Sequence, residues 1–396
     1  MISASAMPED ARPRVLFLSP VPYFKGGAER SLMDLVANDR VVPIVVAPAE
    51  GPIAEAMRAR GIEVHTLDFA GISDIRRPFR VADGVRALGA LIEKGRALRD
   101  ICRDAHIDIV HSNGLKAHMI AVAARWLGGR PAIVHVRDIP YTVLEKLVWR
   151  LLRYGADTVI IVSRACWPDA RLPRNVVVVH NGVAEAVAAA PTDAADFADG
   201  LTLGFIGRIH PAKGLHLLLR WLRAALDAGQ DARLVVRGSF AQESPGYEAE
   251  IERLVDELGL RERFRFEGFV SDAAQVYRGL GAVCVPSHVP DPLPRAVMEA
   301  MARGLPVIAY PAGGILEMIA DGVDGFLVKD AEGFLAAVRA LRDPQTRARV
   351  CAAAALTVKA RFSLPAHHAR VSEIYAAALG AAALQPRPAG MAALRT

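Results

Sequence analysis

Two carboxylates and a glycine pair in one short segment suggest a ligand-binding site. Asp291 stands eight positions before Glu299, and a short apolar run then leads to Gly313 and Gly314. A helix between the two acids would separate them by about 12 Å at ~1.5 Å per residue. The free N–H groups at the start of such a helix attract phosphate groups. The segment therefore predicts a site for a ligand that carries hydroxyls on both sides of a diphosphate, as a nucleotide-sugar does.

The segment from Asp291 to Gly314 resembles the donor-binding motif of the retaining GT-B glycosyltransferases of the glycosyltransferase 4 family. That motif reads Glu, seven residues and a second Glu, followed by A-x-G-x-P-V-I. The resemblance implies that Asp291 holds hydroxyls of the donor sugar and that Glu299 holds the ribose. Asp291 departs from the motif, because it is one methylene shorter than the usual Glu.

Two prolines limit which backbone amides of this segment can bind phosphate. Pro292 and Pro294 have no N–H group. The amides that we expect to meet the diphosphate are those of Leu293, Arg295 and Ala296. An ordinary amphipathic helix with proline at its first position would also explain Pro294. It would not explain the two acids together with Gly304 and the glycine pair.

A second phosphate-binding pattern, GFIGRIHPAKGL, occupies residues 204–215. Arg208 and Lys213 lie on a predicted loop between a strand and a helix, where two cations can clamp a pyrophosphate and stabilise it as a leaving group. Gly207 belongs to the same pattern, which is similar to the family's G-R-x-x-x-x-K-G. Two cations at a strand end are usually surface charges, but the acidic segment favours a functional role. With no D-x-D and no metal-ligand spacing, we expect neither a metal nor a cofactor.

The first half of the chain carries three shorter motifs after predicted strands. Gly26 and Gly27 precede a helix, so their backbone could approach phosphate closely. They do not form the G-x-G-x-x-G fingerprint of dinucleotide-binding proteins. Arg137 and Asp138 directly follow an apolar strand, where the resemblance implies a histidine near the reacting sugar, and we expect them in the site. The segment from His111 to His118 is expected to be structural or to face the acceptor, and its candidate residues are His111, Asn113 and His118.

Strands alternate with helical segments along the whole chain, which predicts parallel sheets covered on both faces. The first set of strands is expected at 14–20, 42–47, 62–66, 108–111, 132–136, 158–162 and 176–179. The second set is expected at 201–209, 234–238, 264–267, 282–286 and 306–310, with helices at 213–228, 247–258 and 272–280 between them. This α/β pattern predicts the GT-B architecture, in which two Rossmann-like domains face a cleft.

The predicted domain limits follow from where the strand and helix pattern stops and restarts. We expect an acceptor-binding domain at 14–183, a linker at 184–200, a donor domain at 201–361, a crossover helix at 362–380 that returns to the first domain, and a loose tail at 381–396.

The net charge of +5 lies entirely within residues 1–190. Eight cations there interleave with apolar residues on a predicted helical segment, and they are Arg76, Arg77, Arg80, Arg86, Lys94, Arg96, Arg99 and Arg103. A basic amphipathic helix can lie on an anionic membrane surface, although such charge runs are usually solvated helix faces. No aromatic-rich basic motif accompanies the charge, so we expect no nucleic-acid partner.

Scattered cysteines and the lack of an apolar leader or a long apolar stretch favour a cytoplasmic protein, peripheral on the inner membrane face if it binds lipid. The resemblance implies a retaining, metal-independent transfer of sugar from a nucleoside-diphosphate sugar to a hydroxyl acceptor by front-face substitution. A lipid-linked oligosaccharide of bacterial surface-polysaccharide or glycolipid synthesis is one expected acceptor. Two alternatives stay open: a sugar-nucleotide epimerase that uses Asp138 and His111, and a non-catalytic subunit that binds nucleotide-sugars.

Overall fold

The computed structural model of the 396-residue chain describes residues 12–24, 26–72, 81–184, 200–272 and 275–384. The predicted linker and tail fall almost entirely outside these ranges. Within the described ranges, no helix is both long and apolar enough to cross a membrane.

The first half folds around a parallel sheet of seven strands in the order β3-β2-β1-β4-β5-β6-β7. Its strands are β1 (Arg14–Leu18), β2 (Val42–Ala47), β3 (Glu63–Thr66), β4 (Ile109–Asn113), β5 (Ala132–Val136), β6 (Thr158–Ile161) and β7 (Val176–Val178). Its helices are α1 (Gly27–Val36), α2 (Pro52–Arg58), α3 (Val81–Asp104), α4 (Leu115–Trp126) and α5 (Val143–Gly155). The strand order reverses between β1 and β4, and ligands of such sheets bind at that reversal.

The second half repeats the plan with a parallel sheet of six strands in the order β10-β9-β8-β11-β12-β13. Its strands are β8 (Leu201–Ile206), β9 (Ala232–Arg237), β10 (Phe264–Gly268), β11 (Ala282–Val285), β12 (Val307–Ala309) and β13 (Phe326–Leu327). Its helices are α6 (Leu215–Asp227), α7 (Tyr247–Glu257), α8 (Arg295–Ala302), α9 (Ala331–Arg342) and α10 (Pro344–Arg361). Here the order reverses between β8 and β11.

The central strands are buried on both faces, which explains their continuous apolar runs. All of β5 and β11, and every residue of β1 after Arg14, is buried. These strands pack into apolar clusters that hold the sheets rigid, so the loops at their carboxyl ends start from fixed positions.

A last helix, α11 (Leu364–Leu384), returns to the first sheet. Val371, Ile374 and Tyr375 are buried in one cluster with Val15 and Phe17 of β1. The chain thus crosses between the halves twice, as the sequence predicted.

The two crossings lie side by side. Val183 donates a backbone hydrogen bond to Phe362 O at 2.8 Å and accepts one from Leu364 N at 3.0 Å. A Cβ on Gly182 would lie 2.6 Å from Leu364 Cα, so the glycine permits this close approach. The two crossings thus pair with each other where the chain passes between the halves.

Three local predictions from the sequence were wrong. The helix expected at 272–280 is replaced by turns at 275–279. The strand expected at 201–209 ends at Ile206, because Gly207 adopts a φ of 130° that ends the run. Pro294 is the N-cap of α8 rather than its first helical residue.

The predicted membrane-binding segment lies partly outside the described residues, since Arg76, Arg77 and Arg80 are not described. In the described part, several α3 cations pair with acids of the same helix: Lys94 with Glu93, Arg99 with Asp100, and Arg103 with Asp100 and Asp104. Such exposed pairs contribute little stability, but they reduce the charge that α3 offers to an anionic surface. Lipid binding by this segment stays a prediction.

Candidate active site

The predicted phosphate-binding loop of the second half lies where its strand order reverses. β8 ends at Ile206, and a short 3₁₀ turn, Pro211–Lys213, precedes α6. Gly214 caps α6 with a φ of 75°. A Cβ on Gly214 would lie 2.0 Å from Pro286 O, directly after β11. Only glycine fits there, and this contact holds Lys213 against the end of β11.

Lys213 reaches the acidic segment directly, because its ammonium forms an ion pair with the Asp291 carboxylate. The side chain of Asp291 is 12% exposed and that of Lys213 is 33% exposed. The second carboxylate oxygen of Asp291 accepts a hydrogen bond from Leu293 N at 3.2 Å. The two motifs, 78 residues apart, thus meet in one group of charges.

The glycine pair supports Asp291 from behind. Gly314 N donates to Asp291 O at 2.8 Å, and Asp291 forms an isolated parallel bridge with Gly313. A Cβ on Gly313 would lie 2.3 Å from Asp291 O, and one on Gly314 would lie 1.9 Å from Pro292 O. The pair is therefore required by close backbone packing. Its expected role in the motif is explained by the position that it gives Asp291.

Glu299 lies one helical turn after the start of α8 and is held by two donors. Tyr277 donates its hydroxyl to Glu299 Oε2 at 2.9 Å, and Arg295 Nε donates to Oε1 at 3.1 Å. Arg295 also reaches Asp34 of α1 at 2.6 Å and Ser31 Oγ at 3.2 Å. Its side chain thereby links the two halves across the cleft, a role that the sequence did not indicate.

The start of α8 faces the loop of Gly26 and Gly27. A Cβ on Gly27 would lie 3.3 Å from the Arg295 side chain, so the two loops almost touch. The Glu29 carboxylate accepts a hydrogen bond from Gly26 N at 2.8 Å, which fixes the first turn of α1. The amides of Arg295 and Ala296 open α8 and have no acceptor one turn earlier. The amide of Leu293 is already bonded to Asp291.

Arg208 points away from this group in the structure. Its guanidinium contacts Glu243 at 3.2 and 3.3 Å, and both side chains are well exposed. Arg208 and Lys213 both act electrostatically on His210 between them and lower its pKa, after the larger effect of burial. The two predicted cations therefore lie on the same loop. Lys213 pairs with Asp291, whereas Arg208 pairs with Glu243 outside this group of charges.

The first half contributes a buried guanidinium. Arg137 follows β5, and its N–H groups donate to Asn113 Oδ1 at 3.0 Å, to Asn181 Oδ1, and to His135 Nδ1 at 3.3 Å. Burial lowers the pKa of Arg137 to about 10, so it is charged at neutral pH. No carboxylate among the described residues pairs with it. A buried cation without a carboxylate is costly unless a ligand supplies the opposite charge.

The predicted histidines lie beneath Arg137. Both His111 and His118 are almost fully buried, and burial lowers the pKa of each, for His118 to about 3. His135 Nδ1 accepts from Arg137, so His111 Nε2 must donate to it, and Tyr375 then donates to His111 Nδ1 at 2.7 Å. This chain fixes the tautomers and supports the floor of the cleft. An acceptor-side role for His111 and His118 stays a prediction, and their burial favours the structural alternative.

Two buried donors beside Arg137 have no partner among the described residues: Asn113 Nδ2 and His135 Nε2. Buried polar groups in folded proteins are almost always paired with protein or water. Together with the guanidinium they form a group of donors that lacks acceptors. Such a group suits the oxygens of a phosphate, a carboxylate or a sugar.

Asp138 stands next to Arg137 and keeps solvent contact at the cleft. The surrounding protein desolvates its carboxyl and raises its pKa, an effect that the Arg137 charge partly offsets. The carboxylate makes no hydrogen bond or ion pair with the described residues. It is an acid without such a partner directly after a buried strand, and its role in the site stays a prediction.

The floor also contains a residue that the sequence motifs left ambiguous. Asn181 follows β7 in the V-H-N-G-V turn that leads into the first crossing, and its amide oxygen accepts from Arg137. Arg137 and Asn181 are 44 residues apart, and this spacing gives no indication in the sequence that the two side chains are in contact. Asp34 and Tyr277 were missed for the same reason, because each meets its partner only through the fold.

Two family models match consecutive parts of the chain. The model described as Glycosyltransferase Family 4 matches residues 25–186, and the model described as Glycosyl transferases group 1 matches residues 179–356. With the two parallel sheets and the acidic segment at their cleft, these matches define the class. The chain belongs to the group 1 glycosyltransferases of glycosyltransferase family 4 and has the GT-B fold.

Curated relatives agree with this class. The chain is 29% identical over 327 residues to a D-inositol 3-phosphate glycosyltransferase of Actinosynnema mirum, covering 69% of this chain and 78% of the relative. It is 26% identical over 348 residues to a phosphatidyl-myo-inositol mannosyltransferase of Mycobacterium leprae, covering 82% and 90%. The protein is a glycosyltransferase. Anabaena HepE, solved with UDP-glucose, shares the fold with a TM-score of 0.74 and 23% identity over 92% of this chain and 99% of HepE.

Proposed function

We propose that the chain transfers a sugar, with retention of anomeric configuration and without a metal, from a nucleoside-diphosphate sugar to a hydroxyl acceptor. The observation that carries the proposal is the contact between Lys213 and Asp291 beside the start of α8. It joins a cation for the diphosphate, an acid for the sugar hydroxyls and free amides for the phosphates. UDP-glucose is the first donor to test, because HepE of the same fold was solved with it.

The donor is proposed to lie along α8. Asp291 binds hydroxyls of the sugar, the amides of Arg295 and Ala296 bind phosphate oxygens, and Glu299 binds the ribose. Lys213 then exchanges part of its contact with Asp291 for the diphosphate, and Arg208 moves from Glu243 to the same phosphates. An exposed pair such as Arg208 and Glu243 is worth at most ~1 kcal/mol, so this exchange is inexpensive.

The reaction is proposed to use front-face substitution. The bond from the anomeric carbon to the phosphate oxygen breaks while the acceptor oxygen bonds to the same face of the sugar. The acceptor proton passes to the departing phosphate. Negative charge on the leaving diphosphate grows in the transition state, so Lys213 and Arg208 stabilise that state more than the bound donor. Arg137 adds positive charge from the opposite wall, and Asp138 orients the acceptor hydroxyl.

The acceptor is proposed to be lipid-linked, in bacterial surface-polysaccharide or glycolipid synthesis at the inner membrane face. The names of the two curated relatives describe inositol acceptors that carry phosphate, and one of them is a lipid. Arg137 and the unpaired hydrogen-bond donors beside it, Asn113 Nδ2 and His135 Nε2, suit such a phosphate. An epimerase would need His111 as an accessible base, whereas the structure buries it completely.

Incubation with labelled nucleotide-sugars and an inner-membrane lipid extract tests transfer. We expect label in an organic-soluble product, with loss of the label transfer in Lys213→Ala. Product with inverted anomeric configuration would contradict retention. Inversion at C2 of the sugar nucleotide, without transfer, would overturn the proposed function.

Chelation tests the metal-free part of the proposal. Excess EDTA is expected to leave initial rates of transfer within about twofold of the untreated enzyme, because Lys213, Arg208 and the start of α8 neutralise the diphosphate. The measurement is the initial rate before and after dialysis against EDTA, with a GT-A enzyme as the positive control for chelation. A loss that added Mg²⁺ or Mn²⁺ restores would establish a metal mechanism instead.

Asp138→Asn tests the acceptor-side acid. Because the pKa of Asp138 is raised, the carboxylate loses its charge at a higher pH than a free aspartate does. We expect acceptor kcat/KM to fall as pH drops through that value in the wild type, and the acidic limb to flatten in the Asn variant. The donor Kd is expected to stay unchanged. An unaltered pH profile in Asp138→Asn would remove Asp138 from the site.

A further inference from the structure

We propose that the exposed face of α5 docks the enzyme onto an anionic lipid bilayer, next to the mouth of the cleft. Five large apolar side chains of this helix are between 48 and 84% exposed, and they are Val143, Leu144, Leu147, Leu151 and Tyr154. At ~100° per residue they fall within an arc of about 100° on one side of the helix. The opposite side, with Trp149 and Leu152, is buried.

The stripe continues beyond the helix at both ends. Tyr141, just before α5, is exposed, and its hydroxyl donates to Pro290 O at 2.6 Å, one residue from Asp291. At the other end, a Cβ on Gly155 would lie 2.9 Å from Trp126 Nε1, so the exposed Trp126 ring lies against α5. The apolar surface therefore runs from the donor site to the far end of α5. Apolar patches of this kind on soluble proteins mark interaction sites.

Cations border this stripe. Lys146, Arg150 and Arg153 follow one another along the flank of α5 beside the apolar arc. Arg153 lies over the Tyr154 ring at 3.9 Å. Arg150 forms an exposed pair with Asp169 at 3.0 Å, which reduces its charge as the pairs on α3 do, so Lys146 and Arg153 supply most of the positive charge of this flank. Exposed Arg174 adjoins Asn175, whose side chain donates to Arg153 O at 2.8 Å. The only acid within α5, Glu145, is used in the N-terminal capping box with Thr142.

An apolar arc with a cationic flank and aromatic side chains at its ends has the chemistry of a helix that lies in the membrane interface. A symmetric dimer through the same face would bring identical surfaces together, so the cations would approach one another. Anionic lipid instead supplies the opposite charge and takes up the apolar side chains. We therefore assign this face to the bilayer and treat a second copy as an outcome of the test.

The inference rests on the proposed function in one respect, since docking next to the cleft would present a lipid-linked acceptor hydroxyl to the donor. The orientation follows from Tyr141, which contacts both the stripe and the segment that precedes Asp291. The α5 face and the predicted basic segment that includes α3 consist of different residues. The two surfaces can be tested by separate variants.

Vesicle flotation with the full chain tests the inference, using phosphatidylglycerol–phosphatidylcholine vesicles and pure phosphatidylcholine vesicles. We expect binding to the anionic vesicles alone, and a fall of at least tenfold in the partition coefficient for the combined change Leu144→Glu, Leu147→Glu and Leu151→Glu. The matched control is Leu356→Glu on α10, another exposed leucine, which should float like the wild type. A separate variant, with Arg76, Arg77 and Arg80 changed to Glu, tests the lipid binding predicted for the basic segment from Arg76 to Arg103.

A spectroscopic readout separates docking from misfolding. Trp126 emission should shift to shorter wavelength on anionic vesicles, and the shift should be lost in Trp126→Phe. The triple Glu variant should keep the wild-type Kd for nucleoside diphosphate. If that Kd is kept while flotation is unchanged, the α5 assignment is overturned and the proposed transfer is untouched. A wild-type dimer that the triple variant converts to a monomer, with unchanged flotation, would overturn it in favour of a second copy.

Discussion

Lys213→Ala is expected to lower kcat at saturating donor by about 10²- to 10³-fold, the usual effect of removing one donor that stabilises transition-state charge. The donor Kd should change by much less, because the leaving diphosphate carries more charge in the transition state than in the bound donor. Lys213→Arg should recover part of the rate, since it keeps the charge. The measurement is kcat by product release together with the Kd for nucleoside diphosphate by calorimetry.

Arg208→Ala is expected to act in the same direction, with a smaller effect because Arg208 must first leave Glu243. Glu243→Gln should therefore preserve or improve the donor KM. Lys359→Ala, an exposed lysine of α10 outside the cleft, is the matched control and should behave like the wild type. Wild-type kcat in Lys213→Ala at saturating donor would contradict the clamp.

Glu299→Ala is expected to raise the Kd for nucleoside diphosphate by about 10- to 100-fold, more than any other single change in the second half. A ribose diol would lose a charge-assisted hydrogen-bond partner worth ~1.5–3 kcal/mol. Tyr277→Phe removes only a neighbour of that carboxylate, so its effect on the Kd should be smaller. Calorimetry of the nucleoside diphosphate alone measures this without chemistry.

Replacing the ribonucleotide by its 2′-deoxy form tests whether Glu299 contacts the ribose itself. A 2′-deoxynucleoside diphosphate should bind the wild type more weakly than the ribonucleotide does, and Glu299→Ala should no longer distinguish the two. This double cycle separates the contact between Glu299 and the ribose from any other effect of the substitution. One such effect is the loss of the hydrogen bond from Arg295. A variant that folds normally and still discriminates the ribose would remove Glu299 from the site.

The two Rossmann-like sheets could be predicted from the sequence, because strands buried on both faces require apolar runs and the helices between them require a period of 3.6. Most predicted strand limits differ from the observed ones by a residue or two. The segment 272–280 failed because helical periodicity over so few residues cannot be distinguished from a series of turns.

The candidate site, too, could be predicted only in part. Asp291, Glu299, Arg208 and Lys213 could be selected from the sequence because each motif lies in one continuous stretch of chain. The importance of Gly214 for placing Lys213 became clear only from its approach to Pro286 O. Spacing along the chain gives no information on contacts between strand ends.

What the sequence determined by itself is the class of protein, the two sheets and the motifs predicted to bind the donor, since all of these depend on local pattern. Only the tertiary structure decided the rest: the pairing of Lys213 with Asp291, the link from Arg295 to Asp34, and the burial of Arg137 among amides. It also decided which apolar residues of α5 pack in the core and which are exposed. The physical reason is that burial and ion pairing depend on neighbours from distant segments, which folding brings together and periodicity does not encode.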